Sequence, residues 1–299
     1  MATTQKLSMR DQMVATIAEL FERDERTALI LAAVSATQFA PILQRYPQRA
    51  LNLGIMEQSM IGVAAGFALE GFIPFAHTIT PFLVERPLEQ LKDDFCYQGL
   101  GGNFLSIGAS YDYSTDGSTH HGPADVPLLM QLPGMQIVVP GTAHELDQLL
   151  QAAYANGSPT YYRTSVAEHN EHLDIEFGKL KVIKQGSQAT VIAVGPSLEY
   201  VLSAVEGLDV TLLYCTTVAP FDKETLRAHA GKGEIVVVEP YYEGALVPDI
   251  SAALEDIPTR IKAIGVPRQF LHRYGTLEQY SAALKLTPEE IRRRIEQFL

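Results

Sequence analysis

The chain has 299 residues, 46% hydrophobic and 19% charged, with a net charge of −12 at pH 7. At about 100–200 residues per domain, that length and ordinary globular composition fit two domains and exclude disordered, collagen-like and coiled-coil chains. An acidic chain without a Lys/Arg-rich run suits neither nucleic acid nor an anionic membrane surface, so neither is expected as a partner. Cys96 and Cys215 are too few for a disulfide scaffold and read as free, buried thiols of a reducing compartment. Residues 1–6 lack an apolar signal core, and the longest apolar stretch, 61–69, is too short to span a bilayer. A cytoplasmic protein is expected.

Strand-length apolar runs alternate with helical patterns, which predicts an α/β fold with a largely parallel sheet. A helix is predicted over 11–23, a buried strand over 27–34 (TALILAAV) and a short strand over 50–53. Residues 55–69 read as a helix dense in Ala, Gly and Met, 73–78 as a strand, and the segment through 98 as one helix. Strands follow at 104–109 and 135–139, a helix at 142–154 and a strand at 160–164. The polar stretch 165–184 has weak periodicity and reads as a linker. It divides a domain over 1–168 from a smaller α/β domain over 185–299, with 169–184 between them. Beyond it come strands at 189–194, 210–214, 234–239 and 260–264, interleaved with helices at 197–206, 223–230 and 245–254. Thr287 caps a closing helix over 288–299 with Pro288 in its first turn.

Three places carry residues suited to chemistry. Glu57 stands between a strand and an apolar helix. By itself it reads as a first-turn carboxylate complementing the helix dipole. It also lies where open α/β sheets bind ligands, and desolvation there would favour its protonated form. The second place is the loop 116–123, Asp116-Gly117-Ser118-Thr119-His120-His121-Gly122-Pro123. Such loops lie on the surface and often carry function. Adjacent histidines point apart and no further ligand stands at a recognised spacing, so no metal site is expected. The third is Arg163 at a strand end, suited to a phosphate or carboxylate fork or to a salt bridge on the sheet rim. Gly99-Leu100-Gly101-Gly102 follows a helix, so it fails the context of a dinucleotide loop. Met56, Met60 and Phe67 read as packing residues.

Taken in order, these segments resemble the pyrimidine-binding half of the transketolase family. The resemblance runs from Met9-Arg10 to Ser165. Its anchors are Gly54-Ile55-Met56-Glu57-Gln58, Ala64-Ala65-Gly66, Ile73-Pro74-Phe75, Phe82-Leu83, the loop Asp116 to His120, and Leu132-Pro133-Gly134-Met135. The second half is similar to the family's C-terminal domain at Thr217-Val218-Ala219-Pro220-Phe221-Asp222 and Val238-Glu239. No Gly-Asp-Gly occurs in these residues, the motif with which the family holds its metal and diphosphate. The resemblance therefore implies the C-terminal subunit of a split transketolase that uses thiamine diphosphate. Mg²⁺ or Ca²⁺ would be held mainly by a partner subunit, and a homodimeric core would sit within an α2β2 assembly. The helix over 61–69 would allow close approach at such an interface.

The resemblance also implies roles. Glu57 matches the acid that hydrogen-bonds the cofactor's aminopyrimidine, and Phe82 the aromatic that stacks on it, with Met56 and Ile79 flanking. His120 matches a catalytic histidine at the substrate's oxygen, Asp116 a reader of a sugar hydroxyl, and Arg163 a grip on a sugar phosphate. Three departures bear on the substrate. Residues 108–113 carry two tyrosines and no histidine. Ile79 stands where an aromatic is usual. Glu85-Arg86-Pro87 breaks the usual helix opening. Ketol transfer between sugar phosphates is the expected activity. A 1-deoxyxylulose-5-phosphate synthase-like or 2-oxoacid dehydrogenase E1 β-like subunit and a non-catalytic paralogue are the alternatives.

Overall fold

The computed structural model describes residues 7–299. The reading of residues 1–6 lies outside them. The first half contributes strands β1 (Thr27–Leu31), β2 (Ala50–Asn52), β3 (Ile73–Ile79), β4 (Gly102–Ile107), β5 (Gln136–Val138) and β6 (Pro159–Arg163). The second half contributes β7 (Leu180–Lys184), β8 (Ala189–Val194), β9 (Val210–Cys215), β10 (Thr217–Ala219), β11 (Glu234–Tyr242) and β12 (Arg260–Val266).

The seven-stranded sheet has the order β10-β5-β6-β4-β3-β1-β2 and is parallel except for β10. The five-stranded sheet has the order β12-β11-β8-β9-β7 and is parallel except for β7. β1, β4 and β6 are buried along their whole length, as strands covered by helices on both faces must be. Helix Met9–Arg23 starts where the Ser8 side chain accepts from the Asp11 N–H. The predicted cap at Thr287 is present, its side chain accepting from the Glu290 N–H.

Three segments depart from the sequence reading. The expected linker ends in β7, which pairs antiparallel with β9. As a half-buried edge strand carrying Lys181 and Lys184, β7 has too little apolar pattern to announce itself. β10 lies past that linker yet pairs with β5 in the first sheet. The single helix expected through residue 98 is broken into Thr80–Val84, Leu88–Gln90 and a π-helical turn, Leu91–Tyr97. Pro87 lacks an N–H donor and disfavours helical backbone at the residue before it, Arg86.

Gly101 and Gly102 pack rather than cradle a ligand. A Cβ on Gly102 would lie 2.7 Å from the Phe95 ring, and one on Gly101 would lie 2.9 Å from the Gly157 backbone. A buried polar knot ties the halves together. Glu145, on helix Ala143–Ala153, receives hydrogen bonds from Tyr214 of β9 at 2.6 Å and from the Gly141 N–H at 2.7 Å, and meets His169 at 3.0 Å. Cys215 is buried and Cys96 half-buried, both as free thiols. No helix of the described residues is long and apolar enough to cross a membrane.

Candidate active site

The parallel strands β1 to β4 end on one edge of the first sheet, the place where such sheets bind ligands. The backbone there is held in unusual shapes. Ala33 and Ser35 have φ of 64° and 58°, a region costly for residues with a Cβ. The Asn52 side chain accepts from the Ala33 and Gly54 N–H groups at 3.0 and 3.1 Å and so ties the ends of β1 and β2. The Ser35 hydroxyl lies 2.8 Å from His77 Nε2, while His77 Nδ1 lies 2.7 Å from the Leu105 carbonyl. Arg10 donates to the same hydroxyl at 3.1 Å. Burial holds the His77 imidazole down at a pKa of about 4, so it is neutral at pH 7. The sequence reading missed Ser35, Asn52 and His77. Only the Val34-Ser35 step after an apolar strand hinted at them.

Glu57 opens helix Glu57–Leu69 and is 5% exposed. Its surroundings are not purely apolar. Arg86 Nη1 donates to Glu57 Oε1 at 2.9 Å, and the Arg86 guanidinium carbon lies 3.8 Å from the centroid of the Phe82 ring. Arg86 therefore closes the gap between the buried carboxylate and the aromatic face. The break at Pro87 is what frees the Arg86 side chain from a helical register. Phe82 meets His120 edge-on at 5.1 Å between ring centroids. His120 Nδ1 lies 2.9 Å from the Thr119 hydroxyl. Tyr113 stands 6.1 Å from His120 and occupies the space over Gly108, where a Cβ would lie 2.2 Å from its ring. Gly108, with φ of 78°, is needed for that close approach. Half-buried Ile79 flanks the same point.

Glu57, Phe82, Ile79 and His120 thus come together, with Tyr113 and Arg86 added. Asp116 is exposed nearby on the loop. Met56 is 56% exposed, so the packing reading is corrected for it; Met60 is fully buried and Phe67 packs edge-on against Phe72. Arg163 differs most from its expected part. It is 1% exposed, its Nε donates to Asp125 Oδ2 at 2.7 Å, and its Nη2 donates to the Ser110 hydroxyl at 2.7 Å. Its guanidinium also faces the Tyr241 ring. The pair with Asp125 is the expected salt bridge, placed in the interior rather than on the sheet rim. Arg163 faces a separate cavity of about 90 Å³ between the halves, lined also by Asp112 and Glu239. Among the described residues, no group of three or more His, Cys, Asp or Glu is placed to hold a metal ion.

Comparison with known proteins assigns this arrangement to a family. A model of the transketolase pyrimidine-binding domain matches residues 5–170. The chain belongs to the transketolase family. A model of the transketolase C-terminal domain matches residues 178–291. An uncharacterized 33.6 kDa protein of the fasciation locus of Rhodococcoides fascians is 36% identical, the match covering 95% of this chain and 92% of that one. A 6-deoxy-6-sulfo-D-fructose transketolase subunit, SqwH, of Clostridium sp. (strain MSTE9) is 29% identical over 95% of this chain and 92% of its own. The 1-deoxy-D-xylulose-5-phosphate synthase 1 of Geobacter sulfurreducens is 29% identical over 95% of this chain but 47% of its own. Among solved structures, a split-gene transketolase described as an inactive β4 tetramer shares the fold, with TM-score 0.85, 24% identity and 98% of each chain covered.

Proposed function

We propose that this transketolase-family chain is the pyrimidine-binding subunit of a split, thiamine diphosphate-dependent transketolase, which moves a two-carbon ketol unit between sugar phosphates or related sugars. The observation that carries the reading is the gap between Glu57 and Phe82. It already holds a planar, hydrogen-bonding cation at 2.9 Å from the carboxylate and 3.8 Å from the ring centre. An aminopyrimidine is likewise flat and donates or accepts hydrogen bonds at its edge, so the residues fit it. When bound, thiamine diphosphate supplies the nucleophilic carbon that takes up the ketol unit.

Within this reading the chain's own side chains have definite tasks. Glu57 holds a proton against the pyrimidine nitrogen, and its burial keeps water from competing for it. Phe82 fixes the ring plane, a contact worth about 0.5–1.5 kcal/mol beyond area burial. His120, set against Phe82, donates to the substrate oxygen on which charge changes. Met56 and Ile79 bound the ring apolarly, and Asp116 accepts from a sugar hydroxyl. The metal and diphosphate contacts fall to a partner subunit, and the cytoplasm is the compartment proposed. The exposed side of helix Glu57–Leu69 presents Gly62, Gly66 and Leu69, and Ile55 is 74% exposed beside it, a surface suited to subunit contact. A 1-deoxyxylulose-5-phosphate synthase-like reaction is the second reading, supported by the identity with the Geobacter protein. The test is Glu57→Gln in the assembled enzyme, read by deuterium exchange at C2 of thiamine diphosphate. Exchange is expected to slow about 10²–10⁴-fold. Unchanged exchange would make Glu57 a structural helix-start residue. Ketose phosphate against pyruvate as donor separates the two reactions.

A further inference from the structure

The loop that carries His120 leaves β4 at Gly108 and returns at Pro123, and its two ends meet. The Ser110 carbonyl accepts from the Gly122 N–H at 2.8 Å, an isolated antiparallel bridge. Residues 111–121 hang from that bridge. The N–H groups of Asp116, His120 and His121 bond to the carbonyls of Tyr113, Gly117 and Ser118, as in successive turns. Turns of this kind shape the loop, while the bridge sets where it lies.

Both ends of the loop are docked on the C-terminal half at β11. The Ser110 hydroxyl donates to the Pro240 carbonyl, and the Tyr242 N–H donates to the Pro123 carbonyl at 2.9 Å. The same hydroxyl accepts from Arg163 Nη2 at 2.7 Å, and Arg163 Nε holds Asp125 just past the loop. Tyr280, also of the C-terminal half, packs its ring 4.9 Å from Tyr111 and 5.5 Å from His121. The bridge touches the candidate active site as well. A Cβ on Gly122 would lie 2.5 Å from Thr80 Cγ2. Thr80 opens the short helix that carries Phe82, and Phe82 meets His120 edge-on. Ser110 joins these pieces, its carbonyl to the loop and its hydroxyl to β11 and β6. Its φ of 49° is costly for a residue with a Cβ, and such strain persists only where the surrounding contacts impose it.

We propose that Ser110 is a positioning residue for His120, through which the C-terminal half sets the catalytic loop. The proposal rests on the transketolase reading above and gives the second half a part in ketol transfer. Ser110→Ala leaves the Pro240 carbonyl and Arg163 Nη2 each without a partner and leaves the strained φ without the contacts that impose it. The bridge then drifts from β11, and His120 moves off the substrate oxygen. A displacement of about 1 Å at a reacting group costs up to about a hundredfold in rate. Glu57 is bonded to Arg86 rather than to the loop, so its own task is left intact.

The test compares wild type, Ser110→Ala and Ser110→Gly, in the full chain and in its assembly with a diphosphate-binding partner. Glycine adopts the left-handed φ without strain, so Ser110→Gly carries the test even where Ser110→Ala fails to fold. In the chain, amide hydrogen exchange over 113–121 is expected to quicken at least about tenfold, with β1, β8 and the melting temperature little changed. In the assembly, kcat for ketol transfer is expected to fall about 10–100-fold. Deuterium exchange at C2 of thiamine diphosphate, which depends on Glu57 and not on His120, is expected to stay close to wild type. Loop exchange equal to wild type overturns the proposal, as do variants that keep full transfer. Amide exchange quickened throughout the chain, or transfer and C2 exchange falling together, makes Ser110 a structural residue and also overturns it. A wild-type assembly that transfers no ketol unit, with the loop loosened only in the variants, sinks the transketolase reading and leaves the tie between the halves standing.

Discussion

Arg86 occupies both contacts that a pyrimidine ring would need, so removing it should tighten cofactor binding. The guanidinium over Phe82, half-exposed, contributes about 0.5–1 kcal/mol. The hydrogen-bonded ion pair with Glu57 adds about 1 kcal/mol, because solvent reaches the Arg86 end, where the side chain is 44% exposed. Together these hold the side chain in place by about 1.5–2 kcal/mol, which leaves the open form at roughly one part in 10–30. A ligand that binds only the open form loses the same factor in apparent affinity. Arg86→Ala should therefore lower the dissociation constant for thiamine diphosphate by about 10–30-fold. The assay is calorimetric titration of the chain assembled with a diphosphate-binding partner, at constant salt. Unchanged or weaker binding would refute the reasoning. It would mean that Arg86 stays beside Glu57 when the cofactor is present and helps to hold it.

Other outcomes follow from the buried groups. Asp125→Asn should cost about 3–5 kcal/mol in chemical denaturation, because it leaves the Arg163 guanidinium buried without its counter-charge. Burial pushes Asp112 up to about 6 and Glu239 up to about 7. Both bind protons in the folded chain at pH values where the unfolded chain has released them, so stability should fall as pH rises from about 4 to 7. Melting scans across that range should show Asp112→Asn with Glu239→Gln removing this fall, while buried His77, held down at about 4, contributes an opposing rise with pH in both forms. Gly102→Ala should lose about 1–3 kcal/mol through its clash with Phe95, read as a lower denaturation midpoint.

The candidate site was legible where chemistry lies in short contiguous runs. Glu57 after its strand, Phe82, and Asp116 to His120 stand in a readable order, and the fold brings Glu57, Phe82 and His120 together. What escaped depends on partners distant in the chain. Asp125 neutralises Arg163 across 38 positions, and nothing in Pro123-Ala124-Asp125 announces it. Arg86 read only as part of a helix break, because its contact with Glu57, 29 positions away, requires the break to form first. The alternating α/β pattern of both halves was plain. β7 and β10 were not, since both are short and sit at sheet edges, and two of the five residues of β7 are lysines.

The return of β10 to the first sheet has a bearing on how this protein can be cut or recombined. Its three residues cover the outer edge of β5, which is otherwise an open row of backbone donors and acceptors. A fragment severed in the 169–184 stretch would expose that edge and invite strand addition from another molecule. A foreign second half spliced on at the same point would cover that edge again only if it brought its own version of Thr217–Ala219. The halves therefore exchange as a matched set, and the covalent junction between them is a poor guide to where one ends.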